Sequence, residues 1–159
     1  MTTYHRARLY IAGTHDEMTR LVEAGSESKE LLTQLLDLAG DPGDTKFADI
    51  QGAVEGGALA YPIWMNIYTY RGCDDFGDLV QKLSRTAKTF DLMLIQQEYN
   101  EDTESATSTF YLGPESIDGT RGIEDVSEDN AHDWFQSQRQ DFLQMLDSSP
   151  WKEAAKGLF

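Results

Sequence analysis

Carboxylate side chains are the groups of this sequence best suited to binding a partner, and they are concentrated in one stretch of the chain. Between Glu98 and Ser149 there are thirteen acidic and two basic residues, a net charge of −11, whereas the first 97 residues carry a net charge of −5. A surface that served only solubility would spread its acids more evenly. We therefore predict a partner-binding surface with these residues: Glu98, Glu101, Asp102, Glu104, Glu115, Asp118, Glu124, Asp125, Glu128, Asp129 and Asp133.

An acidic surface of this kind can imitate the phosphate backbone of a nucleic acid or dock on a basic groove of another protein. The net charge of the whole chain is −15, which argues against direct binding to nucleic acid or to an anionic membrane, since both would repel it. The alternative is a solvated surface without a partner, as in a salt-adapted protein. The expected partner is a basic protein surface.

Cys73 and three histidines are the other candidates for chemistry. Cys73 is the only cysteine, so no internal disulfide can form, and we expect it in a tight turn before a helix, where the dipole could lower the thiol pKa. His5, His15 and His132 have no second ligand-type residue at metal spacing other than the acids that are common throughout the chain. We predict no catalytic residue, metal or cofactor. A small enzyme that uses Cys73 or a carboxylate pair is the alternative.

The elements that must position these residues are predicted from hydrophobic periodicity. Residues 61–70 are β-branched and aromatic and predict a central strand. A turn over residues 71–75 leads into a helix capped by one of its aspartates, and residues 90–99 predict a second strand. We interpret this stretch as one βαβ unit with two parallel strands, around which the rest of the chain is organised.

The segment before this unit predicts one strand and two helices. Alternation over residues 6–12 is typical of a half-buried strand. Thr14, followed three residues later by Glu17, has the form of a capping box at the start of a helix. A leucine-rich helix follows from Ser26 or Ser28.

Glycine and proline dominate the stretch that leads to residue 60. Asp41–Asp44 is a turn signal, and residues 45–50 suggest a short strand. Residues 51–57 contain three glycines and match neither a phosphate-binding loop nor a dinucleotide fingerprint. We predict a flexible loop here.

The segment after the unit carries most of the acids. Residues 107–112 are expected to form a hairpin with the preceding strand, and residues 113–129 to form a surface loop. Asp129 or Asn130 should cap a helix. Proline after Ser149 predicts a last helical turn.

Together these elements predict a single α+β domain over residues 1–159. The expected fold is an elaborated ferredoxin-like antiparallel or mixed sheet with helices on one face and a C-terminal helix. Residues 6–112 would form the core, and residues 113–159 the acidic loop and C-terminal helices. The sequence contains neither a secretory signal nor a run of about 18 apolar residues, so we predict a cytoplasmic protein.

A family resemblance is carried by a strand, a helix and a second strand, with these residues: Trp64–Thr69, Leu79, Val80, Leu83, Phe90–Leu92, Glu98 and Tyr99. On these residues, and over the range 6–112, the chain resembles a plasmid- and phage-borne accessory family with a ferredoxin-like domain. The resemblance implies a mobile-element origin, where small acidic proteins often inhibit host defence, as anti-CRISPR and anti-restriction proteins do. It transfers no catalytic residue. Our leading hypothesis is a non-enzymatic inhibitor that occupies a basic nucleic-acid-binding surface of a defence complex, and a module that forms homodimers is a further alternative.

Overall fold

The protein is described by a computed structural model over residues 5–38, 45–67 and 70–145. The predicted turn at Asp41–Asp44 and the predicted last helical turn after Ser149 lie outside these residues. No helix of the described ranges combines the length and apolarity needed to cross a membrane. The elements in chain order are β1 (His5–Gly13), α1 (His15–Val22), α2 (Glu27–Leu36), α3 (Phe47–Glu55), β2 (Ala60–Ile67), α4 (Tyr70–Arg85), β3 (Leu92–Asn100), β4 (Ser105–Leu112), β5 (Ser116–Ile123) and α5 (Glu128–Gln144).

The strands form one antiparallel sheet in the order β2-β1-β3-β4-β5. Because β1 runs antiparallel to both β2 and β3, those two strands are parallel to each other, with β1 between them. Helix α4 connects them, so β2, α4 and β3 form a split βαβ unit. The architecture is α+β and consistent with an elaborated ferredoxin-like fold, which confirms the predicted fold class.

The predicted central strand is wrong in its position. Strand β2 lies at one edge of the sheet and pairs with β1 in the described residues, while β1 and β3 occupy the interior. Pro62 gives the physical reason, because proline has no backbone N–H to donate and is tolerated in strands mainly at a sheet edge. Strand β3 is buried on both faces from Leu92 to Gln97.

One face of the sheet, the helical face, is covered by α1, α2, α3 and α4. Alternate strand residues meet the apolar stripes of all four helices in a single cluster. Leu9 and Ile63 come from neighbouring strands, and Leu32 and Phe76 come from α2 and α4; all four are at most 1% exposed. Burial of apolar side chains is the main stabilising contribution on this face.

The opposite face, the α5 face, is covered by α5. Phe142 stacks on Phe110 of β4 with ring centroids 4.8 Å apart, and Phe135 packs in a cluster with Tyr99. The C-terminal helix therefore closes the second side of the sheet. The predicted arrangement of helices on one face plus a C-terminal helix is confirmed.

Helix α3, Phe47–Glu55, occupies most of residues 45–57, where a strand and a loop were predicted. Helix α3 begins after Lys46, whose backbone N–H donates to Asp49 Oδ2 at 3.2 Å. Its apolar residues Phe47, Ile50 and Val54 have helical spacing and pack in the cluster of the helical face. Burial of this stripe outweighs the cost of a glycine inside the helix, about 1 kcal/mol.

The turn predicted over residues 71–75 is also helical, because α4 begins at Tyr70. Cys73 and both candidate capping aspartates therefore lie inside the helix. The long stripe from Phe76 to Leu83 is buried in the cluster of the helical face. Tertiary packing of an amphipathic helix extends it past residues of weak helix propensity.

The predicted loop over residues 113–129 contains an edge strand, β5, which pairs with β4 over a register that shifts near Phe110. Glycine is disfavoured in strands, but the neighbouring strand supplies hydrogen-bond partners. Helix α5 is capped by Ser127 rather than by Asp129 or Asn130, and the Ser127 side chain accepts from the Asn130 N–H at 3.4 Å. The predicted hairpin of β3 and β4 is confirmed.

Thr14 occupies the N-cap position of α1. The predicted capping box is wrong, because no side-chain cap hydrogen bond forms there. Glu17 is only 4% exposed and instead accepts hydrogen bonds from the Lys88 and Thr89 backbone at 3.1 and 3.3 Å. It also forms an ion pair with Arg20. Glu17 therefore joins α1 to the connection between α4 and β3.

Candidate partner-binding surface

The turn between β3 and β4 presents three of the predicted acidic residues at one end of the sheet. The Asn100 side-chain oxygen accepts from the backbone N–H groups of Asp102 and Thr103 at 2.9 and 3.3 Å. This arrangement is typical of an Asx turn. Glu101, Asp102 and Glu104 are exposed. The turn is therefore ordered by its own hydrogen bonds while its carboxylates stay in solvent.

The connection between β5 and α5 lies against this turn. The Val126 N–H donates to the Glu104 carbonyl at 2.9 Å, and the hydroxyl of the buried Tyr99 donates to the Val126 carbonyl at 2.8 Å. Glu124 and Asp125 directly precede Val126 and are exposed. Two hydrogen bonds thus hold two acid-rich connections together.

Arg6 of β1 adds the first turn of α5 to the same group. Its guanidinium forms ion pairs with Glu101, at 3.0 Å, and with Glu128. Glu128 and Asp129 occupy the first turn of α5, where the helix dipole favours negative charge. We call this group the acidic end; its members are Glu101, Asp102, Glu104, Glu124, Asp125, Glu128 and Asp129.

The charges of the acidic end act together on Tyr99. Burial raises the pKa of the Tyr99 phenol, and the nearby carboxylates of Glu104 and Glu101 raise it further, while Arg6 lowers it. A phenolate here would sit among negative charges, so the neutral form is favoured.

Four predicted residues lie outside the acidic end. Glu98 is half-buried. Neighbouring strand residues point to opposite faces, so Glu98 lies on the helical face while Tyr99 lies on the α5 face. Glu115 follows β4 and is exposed at the opposite end of the sheet. Asp118 lies on β5. Asp133 is exposed one helical turn after Asp129 and continues the acidic end along α5.

Sequence reasoning missed a group around Arg8, on the α5 face beside the acidic end. The Arg8 guanidinium lies 4.5 Å from the ring centroid of Trp64 and 5.6 Å from that of Phe135. Arg8 Nη1 is 3.1 Å from His132 Nδ1. Burial lowers the pKa of Arg8, against the opposing effect of Tyr10. The available signal was alternation, which places Arg6 and Arg8 on one face of β1.

A buried arginine fixes α5 on the sheet. Arg139 is 5% exposed and donates to the Tyr10 hydroxyl at 2.9 Å and to Gln97 Oε1 at 3.0 Å. Gln97 in turn donates to Ser108 Oγ at 3.3 Å and to the Phe135 carbonyl at 3.0 Å. Burial lowers the pKa of Arg139 below its ordinary value. These directional contacts determine where α5 and its acidic first turn lie.

Cys73 and the three histidines lie on four different elements of the described chain. Cys73 is the fourth residue of α4 and does not lie in a turn before the helix. His5 lies on β1, His15 begins α1 and His132 lies on α5. Within the described ranges, no group of three or more histidine, cysteine, aspartate or glutamate residues could hold a metal ion. An open cavity of about 540 Å³ beside Glu17 is lined by both polar and apolar atoms.

Comparisons of the chain with family models, with curated proteins and with solved structures give no match.

Proposed function

We propose that the protein is a non-enzymatic interaction protein that uses its acidic end to occupy a basic nucleic-acid-binding surface of another protein. The observation that carries this proposal is the joining of two acid-rich connections and the start of α5 by the contacts of Val126, Tyr99 and Arg6. A nucleic acid presents closely spaced negative charge to its protein, and the acidic end presents the same sign of charge.

The acidic end is supported by ordered structure, which favours binding. Its carboxylates project from a hydrogen-bonded turn and a capped helix, so little conformational entropy is lost when a partner docks. Its concentrated negative charge accelerates the approach of a basic partner. A mobile surface of the same composition would bind less tightly, because its backbone would have to be ordered on binding.

Within this proposal, the protein acts in the cytoplasm as an inhibitor of a host defence complex, of the anti-CRISPR or anti-restriction type. The resemblance of residues 6–112 to a mobile-element family supports that setting. The net charge of −15 supports a basic protein partner and disfavours direct contact with nucleic acid or an anionic membrane.

Two charge-neutralised variants test this function. Each exchanges five exposed carboxylates for amides, so both have the same net charge, and salt-gradient capture from a bacterial lysate compares them. The acidic-end variant changes Asp102, Glu104, Glu124, Asp125 and Asp129. The control variant changes five residues that lie on, or directly after, α1 and α2 of the helical face: Asp16, Glu23, Glu27, Glu30 and Asp37.

We expect the wild type and the control variant to capture a nucleic-acid-binding protein that elutes as salt rises. The acidic-end variant should bind that protein at least about 5-fold more weakly, because five exposed charge pairs of about 0.2–1 kcal/mol each amount to about 1–5 kcal/mol of binding free energy. DNA or RNA should compete with the wild type for the captured protein. Equal binding by both variants, or capture that salt does not weaken, would contradict the proposal.

Two single variants, measured for capture of the partner and for inhibition of that partner, separate this function from catalysis. Cys73→Ala and Glu98→Gln each remove a candidate catalytic group outside the acidic end. An interaction protein should keep its binding and its inhibitory effect in both variants. Loss of the inhibitory effect in either one, with binding and folding intact, would favour the enzyme instead.

A further inference from the structure

Trp64 is an exposed aromatic residue on the α5 face. It is 44% exposed, and among the described residues only Phe90 and Met145 are other large apolar side chains with such exposure. Arg8 lies over its ring, and Tyr10 contacts it edge-on with centroids 6.1 Å apart. The ring is therefore held in place on one side while much of its surface remains in solvent.

A chain of contacts connects Trp64 to the acidic end. Arg8 lies opposite Trp64 in the strand register and contacts His132, whose neighbour Asp133 is exposed on α5. Arg6, two residues before Arg8 and about 7 Å along the same strand, forms ion pairs with the acidic end. A partner that covers the acidic end therefore reaches Trp64 without leaving the surface.

We propose that Trp64 is the aromatic anchor of the interface and receives an arginine side chain of the basic partner on its open ring surface. This inference rests on the proposed function and names the partner group that the site recognises. A surface complementary to the acidic end is rich in arginine and lysine, and a guanidinium both stacks on an indole ring and is attracted by it. Tryptophan is also enriched among residues that dominate binding energy.

Two other occupants fit this surface less well. A peptide strand added at the edge of β2 would meet Pro62, the third residue of the strand, which has no N–H to donate. A second copy of the chain would bring a further net charge of −15 against the first. Arg8 lies directly over Trp64, so the attraction for a basic partner comes from the acidic end and from the net negative charge of the chain.

Fluorescence anisotropy with labelled poly-arginine and poly-lysine peptides of equal length tests this anchor. Trp64→Ala removes the ring, and Trp64→Phe keeps an aromatic surface that attracts cations less strongly. Phe90→Ala is the matched control, because it removes an exposed aromatic side chain next to the opposite end of β3. The acidic-end variant is measured beside them, and thermal unfolding confirms that each variant is folded.

Trp64→Ala should weaken poly-arginine binding about 3- to 30-fold at both low and high salt, with a smaller loss for poly-lysine. Trp64→Phe should fall between it and the wild type, and Phe90→Ala should match the wild type. If Trp64→Ala binds poly-arginine as the wild type does while the acidic-end variant loses binding, this inference is overturned and the proposed function stands. Undiminished binding by the acidic-end variant would overturn the proposed function itself.

Discussion

The helical face and the α5 face of the same sheet are both buried, but by side chains of different chemistry. Aliphatic residues from four helices and three strands fill most of the helical face. On the α5 face, Gln97 and Ser108 are fully buried at the centre of the sheet and Arg139 closes over them. Hydrophobic contact has no direction, whereas the hydrogen bonds of Arg139 and Gln97 have specific angles and lengths.

Because of this difference, the helical face contributes mainly to the stability of the fold and the α5 face determines the position of α5. The helical face supplies most of the buried apolar area, and similar side chains can replace one another there if the volume is kept. The polar contacts of the α5 face hold α5 in one position, which places Ser127 and the first turn of the helix beside the β3–β4 turn. The acidic end therefore depends on the less apolar of the two faces.

The largest expected effect is in the helical face. Phe76→Ala removes a fully buried ring of α4 and should lower the free energy of unfolding by about 3–5 kcal/mol, through lost burial and the cavity left behind. Urea unfolding monitored by circular dichroism measures this. Phe90→Ala, at a ring that is 57% exposed, should cost less than about 1 kcal/mol. Similar losses for the two variants would contradict the apolar role of this face.

Arg139→Met tests the polar face. It leaves the Tyr10 hydroxyl and the Gln97 amide without the guanidinium, and should cost about 2–3 kcal/mol of unfolding free energy. In combination with Tyr10→Phe, the total cost should be smaller than the sum of the single costs, because the two groups are directly coupled. Partner binding should also weaken, because α5 loses its fixed position. If the two costs are additive and partner binding is unchanged, Arg139 does not position the acidic end.

Glu17→Gln tests a buried charge on the helical side. The amide keeps the shape of the side chain but replaces charge-assisted hydrogen bonds from Lys88 and Thr89, and the ion pair with Arg20, by weaker contacts. We expect a loss of about 1–2 kcal/mol in urea unfolding, with partner binding unchanged. A loss of binding in a folded Glu17→Gln variant would show that the two sides are not independent.

The smallest expected effect is at Tyr99, below the acidic end. Tyr99→Phe removes the hydrogen bond to the Val126 carbonyl and should cost about 1 kcal/mol at neutral pH. The folded state raises the pKa of Tyr99 above 10.0, so above about pH 10 the unfolded chain releases this proton first and stability falls. Urea unfolding from about pH 9 to about pH 11 should show a shallower decline for Tyr99→Phe. An unchanged slope would exclude Tyr99 as a contributor.

Strongly periodic segments were predictable from the sequence. The alternation of β1, the leucine stripe of α2 and the hairpin of β3 and β4 all appear where they were expected. Each of these signals is local, since residues two, three or four positions apart decide which face of an element is apolar. Helix α3 also carried such a signal in Phe47, Ile50 and Val54, but its glycines outweighed that signal in the prediction.

The position of an element in the sheet was not predictable in the same way. Pro62 indicated an edge strand, yet the aromatic character of β2 suggested a central one. Strand β5 contains two glycines and forms because β4 offers a hydrogen-bonding partner, which no local pattern within residues 116–123 reveals. Pairing partners are distant in the chain, so their contribution enters only when the fold forms.

By itself, the sequence determined the charge of this protein, its α+β class and the stretch in which its acids are most concentrated. Only the tertiary structure decided which acids meet. It gathers the β3–β4 turn, the β5–α5 connection and the start of α5 through Val126, Tyr99 and Arg6, and it leaves Glu98 and Glu115 elsewhere. The reason is that charge is a property of each residue, whereas a surface is formed by backbone contacts between segments far apart in the chain.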